Sequence, residues 1–443
     1  MKNVLALFTL VQLLFVPKIF GQFSSPNLID TNYTQITNII TADINNDSFK
    51  DIIVTRKFSS TFISYYLNQG DLTFGPETTL ATGSNYISRI AAGDFNADGW
   101  IDIVSIGDGS DDVIVYTNDS TTFTADSIDS FTIFNSAVEV ADIDNDADLD
   151  FVAIGGTTLK IYYNDGFSNF TSDSIAGPIE DFVDLTINDI DGDGFKDIIT
   201  SGANISIYQN TNGVISYDST RTSLIPSDGN FFVELEDLDN DGDLDLFSDG
   251  NINNGIRWME NDGNGNFSNL QIIDFAPNNN RYGASINDFD ADGDLDIIAP
   301  KEHDFVLYTN DGLGNFDTAQ TIQQGLPLIT VIHSEDINND GLYDAIWSAN
   351  LSFQLNNTTP LSVIEIEMDE EIIISPNPAS SLFSIISLNP GTLTIHNALG
   401  QVVRENIHLV EGTNSLDLNL LPQLYFLTIQ SQNEKTIKKL LIH

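Results

Sequence analysis

The stretch Asp189-Ile190-Asp191-Gly192-Asp193-Gly194-Phe195-Lys196-Asp197 decides the fold, because it recurs. The same nine-residue frame, DxDxDGxxD with Asn allowed at the third position, begins at Asp43, Asp94, Asp142, Asp189, Asp237, Asp288 and Asp336, at intervals of 47 to 51 residues. A period of that length belongs to a whole supersecondary unit. Repeats of such units build solenoids, propellers or arrays.

The chemistry of the frame fits calcium. Asp189, Asp191 and Asp193 offer hard oxygens at alternate positions, Gly194 permits a sharp turn, and Asp197 returns a further carboxylate. Calcium takes six to eight oxygens in a forgiving geometry, so a carbonyl at the seventh position completes such a set. The EF-hand opens in a related way but closes with a Glu at position twelve on a helix. Here the last acid is at position nine and strand residues follow it, Ile198-Ile199 in this copy and Ile103-Val104, Leu246-Phe247 and Ile297-Ile298 in others. The loop therefore joins two strands. The candidate ligand sets are Asp43, Asn45, Asp47 and Asp51; Asp94, Asn96, Asp98 and Asp102; Asp142, Asp144, Asp146 and Asp150; Asp189, Asp191, Asp193 and Asp197. The remaining three are Asp237, Asp239, Asp241 and Asp245; Asp288, Asp290, Asp292 and Asp296; and Asp336, Asn338, Asp340 and Asp344. One such loop reads equally well as a solvated acidic turn; seven in register weigh against that for the set.

The 443-residue chain carries 65 acidic and 16 basic residues, a net charge of -49, and no cysteine. The ligand positions hold 25 of the acids. Seven divalent ions would offset only part of the charge, so the surface stays acidic, which excludes nucleic acid and anionic membranes as natural partners. Solubility accounts for the rest as well as any specific partner does. Residues 1–21 read as a signal peptide: Lys2, an apolar run from Val4 to Val16, and Gly21 before Gln22. That run is too short for a good spanning helix and no other stretch approaches it, so the mature chain is expected to be secreted or at the outer cell surface with no transmembrane segment. Without cysteine, ions take the place of disulfides.

After each acidic loop comes a strand, then a second strand ending in an aromatic two residues before Asn, as in Tyr66, Tyr116, Tyr162, Tyr208 and Tyr308. The aromatics are read as core between units. A Gly-containing turn follows, such as Asn68-Gln69-Gly70, Asn164-Asp165-Gly166, Asn261-Asp262-Gly263 or Asn310-Asp311-Gly312, and a Phe opens another strand. Asn and Asp before Gly suggest tight hairpins with positive φ. With the strand leading into the loop, each repeat holds four short strands, a propeller blade. The seventh repeat lacks the last strand, but Phe23 to Ile29 (FSSPNLI) resembles the fourth strand Phe74 to Leu80 (FGPETTL) of another. Pairing the two ends would close the ring and remove an open edge. The expected fold is all-β: a seven-bladed β-propeller over 22–362, a linker at 363–371, and a small β-sandwich over 372–443.

The loops resemble those of the FG-GAP and VCBS repeats, the calcium-loop blades also found in the seven-bladed head of integrin α subunits. The resemblance implies that positions one, three, five and nine ligate calcium. Ser48 and Ala147 stand where the turn glycine belongs, at a cost of about 1 kcal/mol if the turn keeps positive φ. Carboxylate count and turn strain together rank the first loop weakest and the fourth, fifth and sixth strongest.

Past Asn357 the loops stop, and Glu365 to Glu371 leads to Ile374-Ser375-Pro376-Asn377-Pro378. That head, Leu399-Gly400-Gln401-Val402, Leu424-Tyr425-Phe426 and the basic end Lys435, Lys438, Lys439 resemble the C-terminal sorting domain of type IX secretion in Bacteroidetes, with Gln423 in place of the usual Gly. The resemblance implies that this segment addresses the protein to the type IX secretion machinery; release after cleavage and anchoring at the surface both stay open.

Three functional readings compete: a calcium-binding module holding glycan or protein in adhesion, a propeller-based polysaccharide-degrading enzyme, and a structural spacer. The propeller holds only His303 and His333, no Cys nucleophile and no GxSxG elbow. Carboxylate pairs suit glycoside chemistry, but the best-placed ones are claimed by metal. Binding is the preferred reading, and no ligand is named by the sequence.

Overall fold

The computed structural model describes residues 23–442 except 31–35, 58–60, 83–85, 109–112, 131–135, 179–181, 224, 226–229, 251–254, 276–282, 302, 327–330, 349, 359–371, 376–381, 388, 398–400, 418–422 and 431–434. The expected signal peptide and linker lie outside the described residues. The chain divides into two compact units, Met1–Pro360 and Leu361–His443.

Among the described residues the first unit is seven antiparallel four-stranded sheets. In the first blade Ile36–Ala42, Asp51–Arg56, Thr61–Tyr66 and Thr78–Thr82 pair in sequence order, and the next five blades repeat this meander. The acidic loop always joins the first strand to the second. Second strands such as Asp51–Arg56, Asp150–Gly155 and Asp197–Gly202 are buried along their whole length, because a sheet lies on each side of them. Fourth strands such as Phe123–Asp129 are largely exposed.

The seventh blade is built from both ends of the unit. Ile332–Glu335, Asp344–Trp347 and Ser352–Gln354 form its first three strands, and Asn27–Leu28 pairs antiparallel with the third, Asn27 opposite Phe353 and Leu28 opposite Ser352. Phe23 bridges to Asn356, and its ring packs 6.2 Å from that of Phe289 in the sixth blade. The sequence reading of this closure holds.

The core lies between blades. Val152, Ile154 and Ile161 of the third blade pack with Leu185, Ile187, Ile198 and Tyr208 of the fourth, and the other junctions repeat the arrangement. The five expected core tyrosines are buried, each 5 % exposed or less. Three also anchor polar ties across a junction. Tyr66, Tyr162 and Tyr308 donate their hydroxyls to Asp30 (2.7 Å), Asp129 (2.9 Å) and Asp274 (2.7 Å), which also receive Arg56, Lys160 and Lys301 respectively.

The turns between third and fourth strands differ from the expected tight hairpins. Asn68 pairs with Phe74 and Asn164 with Phe170, leaving longer loops in which the glycine (Gly70, φ 73°; Gly166, φ 75°) and the residue two places on (Leu72, φ 67°; Ser168, φ 58°) carry positive φ. The Asn and Asp act instead through their side chains: Asp165 Oδ1 accepts from the backbone N–H of Phe167 and Asn169, shaping the loop as an Asx turn.

The described residues of the second unit form two sheets, one of Ile372–Ser375, Leu382–Ser387 and Gly412–Asp417, the other of Val402–Leu409, Gly391–Asn397, Gln423–Gln430 and Lys435–Ile442. Phe383 and Ile385 from the first pack with Leu393, Ile395, Tyr425 and Leu427 from the second, a β-sandwich core.

Candidate metal centres

All seven loops share one backbone path. The fourth and sixth positions have positive φ throughout, for example Asn46 (58°) and Ser48 (74°), Gly192 (70°) and Gly194 (89°), Ala291 (59°) and Gly293 (99°). The position-one carboxylate stabilises this path by accepting the backbone N–H of positions five and six, at 3.1 and 2.7 Å for Asp43 and at 3.2 and 2.8 Å for Asp189. The position-five carboxylate accepts the N–H of position seven, as Asp193 does from Phe195 at 2.9 Å.

Position nine does more than the sequence suggests. Asp51, Asp102, Asp150, Asp197, Asp245, Asp296 and Asp344 are each 0 % exposed. In every blade one oxygen accepts the N–H of position two, and the other accepts the N–H of the asparagine ending the third strand: for Asp197, Ile190 at 3.2 Å and Asn210 at 2.7 Å. The same carboxylate thus fastens its loop to the third strand, while its remaining lone pairs stay available to a cation. Burial pushes these acids up, to about 6 at Asp51, Asp102 and Asp150, about 7 at Asp197, Asp245 and Asp344, and about 8 at Asp296. A cation beside a buried carboxylate reverses that shift and restores its charge.

The loops then diverge. Three acids converge, with ligand oxygens within 4.8 Å of one another, at Asp142, Asp144 and Asp146, at Asp189, Asp191 and Asp197, at Asp237, Asp239 and Asp245, and at Asp288, Asp290 and Asp296. These residues suit a divalent cation by their donor set. In the fourth loop, Asp191 Oδ1 is buried and has no hydrogen-bond partner, an orphaned acceptor of the kind a cation satisfies. In the first, second and seventh loops the third-position asparagine donates its side-chain N–H to position five, Asn45 to Asp47 at 3.0 Å, Asn96 to Asp98 at 3.0 Å and Asn338 to Asp340 at 2.9 Å. The amide there offsets part of the repulsion at position five by a hydrogen bond within the loop.

Side chains beyond the loops also reach the centres, and the frame DxDxDGxxD gives no sign of them. Glu260, from the third strand of the fifth blade, groups with Asp239 and Asp241. At the corresponding place in the fourth blade Gln209 Nε2 donates to Asp191 Oδ2 at 2.9 Å, and Arg221 Nη2 reaches the same oxygen at 3.3 Å.

Around the middle of the ring the first strands bring together a second set of acids. Glu139, Asp184 and Glu234, all half-buried, act on one another electrostatically. Burial, then Asp184, pushes Glu139 up to about 8; burial pushes Asp184 up to about 6 against the pull of Arg89. On the far side, burial lowers His333 to about 4, and its Nε2 lies 2.9 Å from Thr41 Oγ1 of the first blade.

Blades and loops of this kind define a repeat class, and the comparisons agree. The FG-GAP-like repeat model matches residues 43–105, 94–153, 142–200, 189–248, 237–299 and 288–347, and the chain belongs to that family. The secretion system C-terminal sorting domain matches residues 374–443, which indicates type IX secretion to the cell surface or extracellular space. No curated protein matches. Among solved structures, the chain resembles an Agrocybe aegerita lectin described for specific recognition of non-reducing terminal N-acetylglucosamine, at 21% identity and TM-score 0.51 over 66% of this chain and 81% of that one. It also resembles BBS1N, solved in complex with ARL6DN, at 10% identity and TM-score 0.54 over 77% of this chain and 98% of that one. At these identities the likeness is one of fold. Among the described residues no helix is long and apolar enough to cross a membrane.

Proposed function

We propose that the protein is an exported, calcium-stabilised propeller that serves as a binding module for glycan or protein at the cell surface, delivered there by its C-terminal sorting domain. The convergence of carboxylate oxygens in four of the loops carries the calcium reading. Calcium would be held by positions one, three, five and nine, and its role is to offset repulsion among acids that the fold forces together, so that binding energy becomes folding energy. The domain boundaries proposed are a propeller over 22–362, a linker over 363–371 and a sorting domain over 372–443.

The binding reading draws support from the loop face. Loops joining strands one to two and three to four emerge on the same side of a meander, and Gly166 and Gly312 abut the carboxylates of Asp148 and Asp294 in the acidic loops. That side carries exposed Phe167 (76 %) and Leu313 (71 %) beside the acids, apolar contacts of the sort a recognition surface uses. The lectin likeness fits a glycan ligand. The ring acids Glu139, Asp184 and Glu234 favour the alternative of a polysaccharide-degrading enzyme, since acids pushed up by burial are suited to proton transfer. One experiment separates the two: the propeller, residues 22–362, is applied to glycan and protein arrays with calcium and with EGTA, and bound glycans are checked for shortened products. Calcium-dependent retention without cleavage supports the binding module. Cleavage transfers the case to the enzyme, and no retention under either condition leaves the spacer.

A further inference from the structure

The fourth and fifth loops are matched at the ligand positions, four carboxylates and the turn glycine each, and those positions rank them as equals; between them the fourth carries Phe195 and Lys196 where the fifth carries Asp243 and Leu244. Their surroundings are not matched. Next to the fourth loop the blade ends early: its last strand is only Val214–Tyr217, and Asp218 then caps a four-residue helix, Ser219–Thr222, by accepting from the N–H groups of Thr220 (2.8 Å) and Arg221 (3.0 Å). Thr222 Oγ1 accepts the N–H of Ile207 at 3.0 Å, which pins the helix to the third strand. This is the one helix among the described residues, and it carries Arg221 to the acidic centre. The guanidinium lies between Asp191 Oδ2 (3.3 Å), Asp218 Oδ2 (3.6 Å) and the turn at Gly265 of the fifth blade, with its side chain 18% exposed and that of Asp191 11%.

We propose that Arg221 is a built-in counter-cation that makes the fourth loop the weakest calcium site among the four-carboxylate loops. The inference rests on the calcium reading above and goes beyond it. A guanidinium does not deprotonate, so its charge is permanent at any working pH. It offsets one of the four acidic charges and repels an arriving divalent ion, and ligand charge count is a main determinant of calcium affinity in oxygen sites. The fifth loop has the opposite addition, Glu260 beside Asp239 and Asp241. Arg221 is not needed to hold Asp191 in place, because Gln209 donates to the same oxygen at the shorter distance of 2.9 Å. Removing the guanidinium therefore removes charge and leaves the carboxylate oriented, with the orphaned Asp191 Oδ1 still free to bind.

Calcium binding to the full chain is measured by titration calorimetry and by equilibrium dialysis for stoichiometry, at low and at high sodium chloride, for the native protein, Arg221→Gln and Arg221→Lys. The expected result is that Arg221→Gln tightens one weak site by roughly tenfold or more, with a smaller gain at high salt. Arg221→Lys, which keeps the charge, stays near native. Adding Asp193→Asn to Arg221→Gln removes the tightened site and so assigns it to the fourth loop. A native protein that binds no calcium overturns the calcium reading and this inference with it. A native protein that binds calcium while Arg221→Gln leaves every site unchanged, or weakens one, overturns this inference alone. Equal gains from Gln and Lys do the same, since they would trace the effect to the shape of the side chain.

Discussion

Asn68 Nδ2 lies 2.8 Å from the carbonyl oxygen of Ile337, 269 residues further along the chain, and that hydrogen bond joins the first blade to the last. It is one of seven. Asn118 reaches Ile44, Asn164 reaches Phe95, Asn210 reaches Ile143, Asn261 reaches Ile190, Asn310 reaches Leu238 and Asn356 reaches Phe289, each at 2.7 to 2.9 Å and each at position two of the preceding blade's acidic loop. The asparagine N–H meanwhile binds position nine of its own loop. Every acidic loop is thereby clamped from two blades, which links the candidate metal centres to the integrity of the ring.

Asn210→Ala should cost the propeller about 2–4 kcal/mol. Asn210 is fully buried; its side chain donates to Ile143 and Lys196 carbonyls and accepts the N–H of Gly213, and truncation leaves these groups unmet in a place water does not reach. Asn210→Asp should do at least as badly, since a carboxylate cannot donate to the carbonyls. Urea unfolding at saturating calcium measures both. A loss below about 0.5 kcal/mol for either variant would mean that the blades hold together by apolar packing alone.

Asp30 predicts a second weak point at the ring closure. Its carboxylate takes Arg56 Nη2 at 2.9 Å and the Tyr66 hydroxyl at 2.7 Å, and Arg56 is only 1% exposed. Glu77 remains as a partner of Arg56 at 3.2 Å, so Asp30→Ala should cost about 2–3 kcal/mol, the worth of charge-assisted hydrogen bonds, and not the full cost of a stranded charge. Deleting the segment through Asp30 should do more: it bares the edge of Ser352–Gln354 and removes Phe23 from Phe289, so the shortened protein should aggregate. A monomeric, undiminished deletion variant in light scattering and thermal melts would argue that the seventh blade does not need its fourth strand.

Much of this architecture was legible because the acidic frame repeats. Once Asp197 and its six counterparts mark the start of the buried second strand, the aromatic and the asparagine that follow locate the third, and Phe23 to Ile29 falls to the open edge by resemblance. What the sequence hid is what depends on neighbours across a junction. The asparagine recurs 12 to 17 residues after position nine, a signal that was present, but nothing in a single blade says that it bonds to the one before. Arg221 and Glu260 were invisible for the same reason, since neither belongs to the frame and each arrives at an acidic centre through the geometry of its blade.

The ring acids give a pH dependence of definite sign. Burial raises Glu139 from an ordinary carboxyl value to about 8 in the folded protein. A raised acid holds its proton in the fold when the unfolded chain has lost it, so its favourable contribution is complete below about pH 4.5 and is lost as pH rises through about 8. Glu139→Gln, uncharged at every pH, should remove this slope and stabilise the fold relative to native at pH 8 while changing little at pH 4.5. Melting curves across that range, at saturating calcium so that the loops contribute equally to both proteins, test it. Parallel curves for native and variant would place Glu139 in open solvent.

The last expectation concerns the two loops without the turn glycine. Ser48 and Ala147 hold φ of 74° and 77°, in the same left-handed region as Gly194 at 89° and Gly242 at 97°. A side chain with a β-carbon pays about 1–2 kcal/mol to sit there, and the fold compels it because position-one Asp43 and Asp142 still capture the N–H of these residues at 2.7 and 3.1 Å. Glycine relieves the strain but adds freedom to the unfolded chain, so Ala147→Gly should stabilise by a net of about 0.5–1 kcal/mol, and Ser48→Gly by a similar amount. The reverse change, Gly194→Ala, should cost about 1 kcal/mol: no atom within 4 Å obstructs its new methyl group, so only backbone strain opposes it. Urea unfolding of the three variants supplies the comparison. If Ala147→Gly is neutral and Gly194→Ala equally so, the loop backbone relaxes freely at position six, and the ranking of the seven centres must come from side chains such as Arg221 and Glu260 and from the asparagines at position three.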